Sequence, residues 1–371
     1  MTKLLFIYGP LGGGGAERVL LDLLSNLDYS KFEVDLCLIV NQGILLSEVP
    51  KQVTILPLWQ TYSLSYKIGY RMSVWFGINF WFKRVINQKI TKKYDVEISF
   101  LEGMPLKFHA LLHSTAKKIT WVHCDLLRFP YQSEQFFKSE ELAAYNKMNT
   151  IVFVSNQALL AFEQRFPKCF TKKTVLYSPI DEAKIVRLAN EKPLEKAAIF
   201  TIVSVGRLTL PKRMDRVIRL AARLKAENRA VAFQIIGDGE LKNELLNLQK
   251  NCGVLDTVSF LGFLKNPYPF IKNADVLLLT SDYEGFGLVL CEAMCLGVPV
   301  VATKTAGTNE ILNENQFGVL CDLDEESIYE AISKMMMDEE ARNRYKKLGL
   351  QRVAEFGTAR AVAQFTDLLQ L

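Results

Sequence analysis

Histidine is scarce in this chain. His109, His113 and His123 are the only three in 371 residues. The seven cysteines, Cys37, Cys124, Cys169, Cys252, Cys291, Cys295 and Cys321, are odd in number and dispersed. That pattern excludes a disulfide framework and reads as reduced thiols of a cytosolic protein. Cys291 and Cys295 stand one helical turn apart, but no His or second Cys pair completes a metal site, so core packing is the preferred reading. No apolar run approaches the roughly 20 residues of a membrane-spanning helix. No secretory signal is evident either: "MTKLLFIYG" has one lysine and a short apolar run before glycines, and reads as a first strand. These absences point to a soluble or peripheral protein. Acid is missing from one long stretch: no Asp or Glu lies between Val49 and Tyr94.

Apolar residues are plentiful, at 49% against 23% charged, which suits a large globular core. The length allows two or three domains. The net charge of +5 conceals an asymmetry. Residues 1–180 carry 21 Lys and Arg against 14 Asp and Glu, whereas residues 181–371 carry 24 against 26. With a slightly acidic C-terminal half and no recognition motif, nucleic acid is not an expected partner.

The apolar pattern alternates strand with helix. "KLLFIYG", "FEVDLCLIV", "DVEISF", "KKITWVH" and "TIVFVS" read as strands, with helical or loop segments between them. The rhythm restarts near residue 199 with "IFTIVSVG", "VAFQIIG", "VSFLG", "ADVLLLT" and "VPVVAT". Such apolar runs fit strands buried on both faces of a parallel sheet. The expected class is α/β, with two doubly wound Rossmann-like domains facing across a deep cleft. The predicted boundaries are 1–180 for the first domain and 181–355 for the second. A C-terminal helix over 356–371 is expected to pack back on the first. Ligands of such sheets bind at the carboxyl ends of strands, and four motifs lie there.

In "GPLGGGGAERVLLDL", four glycines including Gly13 and Gly14 join a strand to a helix, which suits close approach to an anion. A nicotinamide fingerprint would want an acid after strand two, where Asn41 stands instead; a plain flexible turn is the bland rival. In "SVGRLTLPKRMDRV", Arg207 and Lys212 flank a turn and could straddle a diphosphate, although exposed basic residues are common. In "GDGEL", Gly237 opens a sharp turn that local structure alone explains, with room for a base as the further reading. In "SDYEGFGLVLCEAMCLGVPVVAT", a helix starts near Phe286–Leu288. It ends at Gly297, before Pro299. Glu284 then lies in the loop before the helix and Glu292 inside it, two acceptors suited to sugar or ribose diols.

Together these motifs resemble the retaining nucleotide-sugar glycosyltransferases of family 4, with the GT-B fold, over essentially the full chain. Glu284 to Glu292 matches the family's E-x7-E pattern. The glycine loop, the Arg/Lys segment, "GDGEL" and "FLGFL" also fit. The resemblance implies that Arg207 and Lys212 neutralise the donor diphosphate. It assigns Glu284 and the backbone of Phe286, Gly287 and Leu288 to the transferred sugar, with Glu292 on the ribose. It places His123, in "TWVHCD", near the reacting sugar; otherwise a packed core histidine is the ordinary reading. It implies no cofactor and no metal. One departure is "YSPID", with Ser178 where the family often carries Asn, and no role is carried onto it.

The resemblance also implies transfer of a hexose or N-acetylhexosamine with retained configuration. The donor base is expected to be uracil, with guanine open. Residues 51–93 combine eight Lys and Arg with Trp59, Trp75 and Trp81. That mixture suits an anionic membrane surface and a polyprenyl-diphosphate-linked or other glycan acceptor, against a core helix with a basic edge. The expected place is the inner face of a bacterial cytoplasmic membrane. Two alternatives remain: a GT-B-like epimerase or hydrolase, which needs no acceptor, and a non-catalytic sugar-binding pseudo-transferase.

Overall fold

The structure is a computed structural model that describes residues 1–128, 130–192 and 194–370. The chain divides into two compact units, Met1–Pro179 with Thr358–Leu371, and Ile180–Gly357.

The first unit is built on seven parallel strands among the described residues. They are β1 (Thr2–Tyr8), β2 (Phe32–Val40), β3 (Thr54–Trp59), β4 (Val96–Ser99), β5 (Lys117–Val122), β6 (Thr150–Phe153) and β7 (Lys172–Val175), in the order β3-β2-β1-β4-β5-β6-β7. Leu4, Leu5 and Phe6 of β1 are fully buried, as the unbroken apolar run requires of a central strand. The helix Thr358–Gln370 returns to this unit, and its fully buried Phe365 packs 6.0 Å from Phe6 and 5.9 Å from Trp121.

The stretch 51–93 is not one surface segment. Its first part is the edge strand β3, and Trp59 at the strand's end is a core residue covered edge-on by Tyr66, Phe82 and Phe108. Lys92 pairs with Glu33 and Asp35 at 2.7 and 2.8 Å. Most of the exposed aromatic and basic character lies on the two helices between, Leu64–Phe76 and Phe80–Lys89. β3 escapes a sequence reading because Pro57 and a half-buried edge position weaken its pattern.

The second unit holds six parallel strands among the described residues. They are β8 (Phe200–Val205), β9 (Val231–Ile236), β10 (Val258–Gly262), β11 (Val276–Leu279), β12 (Val300–Thr303) and β13 (Val319–Cys321), in the order β10-β9-β8-β11-β12-β13. Chain order reverses between β8 and β11, which pair directly. The crevice beyond the carboxyl ends of those two strands is where such a sheet accepts a ligand.

Candidate active site

Two loops meet at that switch point. The loop after β8 carries Gly206, Arg207 and Lys212, and passes through a 3-10 turn at Leu210–Lys212 into the helix Met214–Ala226. The loop after β11 carries Ser281 to Gly287 and enters the helix Leu288–Cys295. Residues 72 apart in sequence are thereby joined, because the Lys212 ammonium pairs with the Glu284 carboxylate. Glu284 is buried and its Oε1 also accepts from the Ser281 hydroxyl at 2.7 Å. Arg207 is exposed and makes no side-chain hydrogen bond or ion pair among the described residues. The switch point therefore presents one uncommitted cation beside a cation already matched to an acid.

The Glu284 loop is held from below. Gly307, on the helix Ala306–Leu312, donates its N–H to the Glu284 carbonyl at 3.1 Å. Phe286 is buried edge-on against Phe356, with centroids 5.3 Å apart, so it offers the site backbone rather than its ring. Gly287 has φ 96°, a left-handed conformation that a glycine adopts without strain, and it starts the helix. The start of that helix, at Leu288, marks a positive end. Glu292 lies inside the helix, part-buried, and accepts from the Tyr268 hydroxyl at 3.2 Å.

Gly237 has a packing reason of its own. Its φ is 145° and a Cβ there would stand 1.9 Å from the Gly206 carbonyl oxygen. The turn after β9 is thus pressed against the backbone that leads into Arg207.

In the first unit, Gly13 has φ 101° and Gly14 is the N-cap of the helix Gly15–Ser25, both in the loop after β1. His123 follows β5. Its backbone N–H donates to Glu102 at 2.9 Å, and Glu102 is itself buried, which pushes its carboxyl upward. Burial pushes the His123 imidazole down to about 4, so it is neutral at physiological pH. One ring nitrogen donates to the Phe100 carbonyl, while Nε2 is buried without a partner among the described residues. The ring can therefore accept one hydrogen bond. Of the other histidines, His109 is fully buried against Ser99 and Glu97, and His113 is exposed.

Sequence reasoning missed Ser281, Tyr268, Gly307 and Glu102. Only the position of Ser281, three residues before Glu284, was a local signal for any of them. Ser178 is buried, and Asp181, after the crossover, caps the helix Glu182–Asn190. Cys291 and Cys295 are buried in the core. The chain has one Asp-x-Asp triplet, Asp322-Leu323-Asp324, and Asp324 is the cap of the helix Glu325–Met337. No group of three or more His, Cys, Asp or Glu side chains is placed to hold a metal among the described residues.

The family description "Glycosyl transferases group 1" matches residues 188–352. A relative from Campylobacter jejuni is 30% identical over 368 residues, covering 96% of each chain. It is N-acetylgalactosamine-N,N'-diacetylbacillosaminyl-diphospho-undecaprenol 4-alpha-N-acetylgalactosaminyltransferase. The chain belongs to the group 1 glycosyl transferases. This glycosyltransferase is also 30% identical over 169 residues to N-acetyl-alpha-D-glucosaminyl L-malate synthase of Bacillus anthracis, covering 45% of this chain and 44% of that one. Its fold matches Anabaena HepE in complex with UDP and glucose, with TM-score 0.77 and 20% identity over the whole of both chains. It matches sucrose-phosphate synthase from Thermosynechococcus elongatus with TM-score 0.80 and 17% identity, covering 100% of this chain and 98% of that one. The glycosyltransferase has the GT-B fold.

Proposed function

We propose that this glycosyltransferase moves a hexose or N-acetylhexosamine from a uridine diphosphate sugar to a lipid-linked glycan, with retained anomeric configuration, in bacterial cell-surface polysaccharide synthesis. The observation that carries the donor reading is the pairing of Lys212 with Glu284 at the switch point of the second sheet, on the loop that also carries Arg207. The Campylobacter relative, by its name, acts on a diphospho-undecaprenol acceptor, which supports the acceptor class.

In this reading the diphosphate lies between Arg207 and Lys212, and the start of the helix Leu288–Cys295 faces it. Charge grows on the diphosphate as the glycosidic bond breaks, and preorganised cations and amides stabilise that charge without a metal ion. Lys212 exchanges its pairing with Glu284 for the phosphate. Glu284 is thereby released to orient the sugar hydroxyls, with the amides of Phe286 to Leu288, and Glu292 accepts from the ribose. In the first unit, the neutral His123 is left able to accept a substrate hydroxyl at Nε2. Arg207→Ala and Lys212→Ala should each lower turnover by orders of magnitude in a folded protein, read as nucleoside diphosphate released in the presence of acceptor. Turnover near that of the unsubstituted enzyme in both would refute the donor assignment.

The acceptor-carrying membrane is assigned to the two helices within 51–93. No helix is long and apolar enough to cross a membrane among the described residues. Leu64, Ile68, Met72, Trp75 and Phe76 fall on one exposed face of the first helix, opposite the buried Tyr66, Gly69 and Ser73. Ile78, Phe80 and Trp81 continue the exposed apolar surface, with Trp75 63% and Phe80 67% accessible. Lys67, Arg71, Lys83 and Arg84 are exposed around it. An apolar face rimmed by cations, on a segment that itself carries no acid, fits an anionic lipid interface. Flotation with anionic vesicles tests this: the enzyme should float, and Trp75→Ser with Phe76→Ser should stay in the dense fraction. An enzyme that never floats at moderate salt would remove the membrane reading and leave sugar transfer standing.

A further inference from the structure

We propose that Arg213 and Asp282 are a positioning pair that holds Lys212 and Glu284 in register for the donor; the inference rests on the donor reading above. Arg213 follows Lys212 with φ 49° and ψ 45°, the left-handed region, at the start of the helix Met214–Ala226. A glycine would stand there without strain, whereas a residue with a Cβ does not. The strained place is nonetheless given to an arginine, and its side chain explains why.

The guanidinium grips Asp215 with two parallel bonds of 3.0 Å and reaches Asp282 Oδ2 at 3.0 Å. The other oxygen of Asp282 pairs with Arg216 at 2.6 Å, and Arg216 donates to the Thr280 carbonyl at 2.9 Å. The backbones are tied as well. Asp282 donates its N–H to the Pro211 carbonyl at 2.9 Å. The Thr280 hydroxyl lies 3.2 Å from the Lys212 carbonyl and 2.9 Å from that of Arg213. The loop after β8 and the loop after β11 are thus bound together on both sides of Lys212, two residues before Glu284. Planar, forked arginine contacts fix direction as well as distance. Strain kept at such a place is over-determined by its surroundings.

The test separates positioning from stability. Arg213→Gly removes the strain and the guanidinium together, so the melting temperature should hold or rise while kcat falls about tenfold or more, with a smaller change in donor KM. Asp282→Asn should lower kcat in the same way, and the double variant should lose less than the sum of the two, because the side chains share one contact. Arg213→Lys should recover only part of the loss. Unchanged kcat in both Arg213→Gly and Asp282→Asn would overturn the proposal, as would a loss of kcat that merely follows a loss of folded protein. Arg207→Ala and Lys212→Ala are run alongside. If those abolish turnover and the Arg213 and Asp282 variants do not, only the positioning role fails. If none of the four alters turnover, the donor reading fails with it.

Discussion

Gly307 is the residue on which the geometry makes its least intuitive prediction. It is buried in the first turn of the helix Ala306–Leu312, directly beneath the loop that carries Glu284 and Phe286. Helix propensity alone predicts that Gly307→Ala stabilises by about 1 kcal/mol. The packing predicts the opposite. A Cβ at Gly307 would lie 2.7 Å from the N, Cα and O atoms of Phe286. Ordinary contact begins near 3.4 Å, so this backbone must retreat by about 0.7 Å. Overpacking of this kind costs about 1–3 kcal/mol, so propensity offsets part of it and the net loss is about 0–2 kcal/mol. For a unit of this size the melting temperature should fall by no more than about 8 °C. Activity should suffer more. The displaced amides are those proposed to hold the sugar, and misplacement approaching 1 Å costs up to about 100-fold in rate. Thermal melts and steady-state kinetics with varied donor, on one preparation, provide the check. A Gly307→Ala enzyme that is more stable, with unaltered kcat and donor KM, would show that the Phe286 backbone neither resists the added methyl nor holds the sugar.

Three further outcomes follow from the same geometry. The His123 imidazole titrates near 4 in the fold and at about 6.5 when exposed, so only the unfolded chain takes up its proton between those values. Stability should therefore fall by up to about 3 kcal/mol as pH drops from about 6.5 to about 4, and urea titrations should show a shallower fall for His123→Asn. Tyr268→Phe removes the hydroxyl that orients Glu292, a bond of about 0.5–1.5 kcal/mol, and should raise donor KM roughly two- to tenfold with kcat little changed. Because Arg207, Lys212 and the helix start are proposed to neutralise the diphosphate, turnover should survive excess EDTA, measured as nucleoside diphosphate release.

The fold was largely legible because buried parallel strands leave near-continuous apolar runs. β8, β9 and β11 are such runs, and the loops after β8 and β11 carry recognisable residue types at their ends. β3, β7 and β13 were not legible: the first is a half-buried edge strand with a proline, the second a four-residue edge strand reading KKTV, and the third is three residues long. Glu284 and Lys212 could be nominated from sequence, but their pairing could not, since it depends on β8 and β11 being neighbours. Gly307 and Tyr268 were hidden for the same reason. Each acts on the site through a contact with a segment that is remote in sequence or offset by a helix. Trp59 was misjudged because composition cannot say which aromatics of a mixed segment turn inward; the strand preceding it does.

The proposed reaction is sugar transfer from a nucleotide donor to a separate acceptor. It is tested most directly by mass spectrometry of reactions with a panel of nucleotide sugars, with and without a polyprenyl-diphosphate-linked glycan. One donor should be consumed only when acceptor is present, the acceptor should gain the mass of one hexose or N-acetylhexosamine, and a matching amount of nucleoside diphosphate should appear. Donor turned over equally without acceptor, or no donor consumed under any pairing, would contradict it.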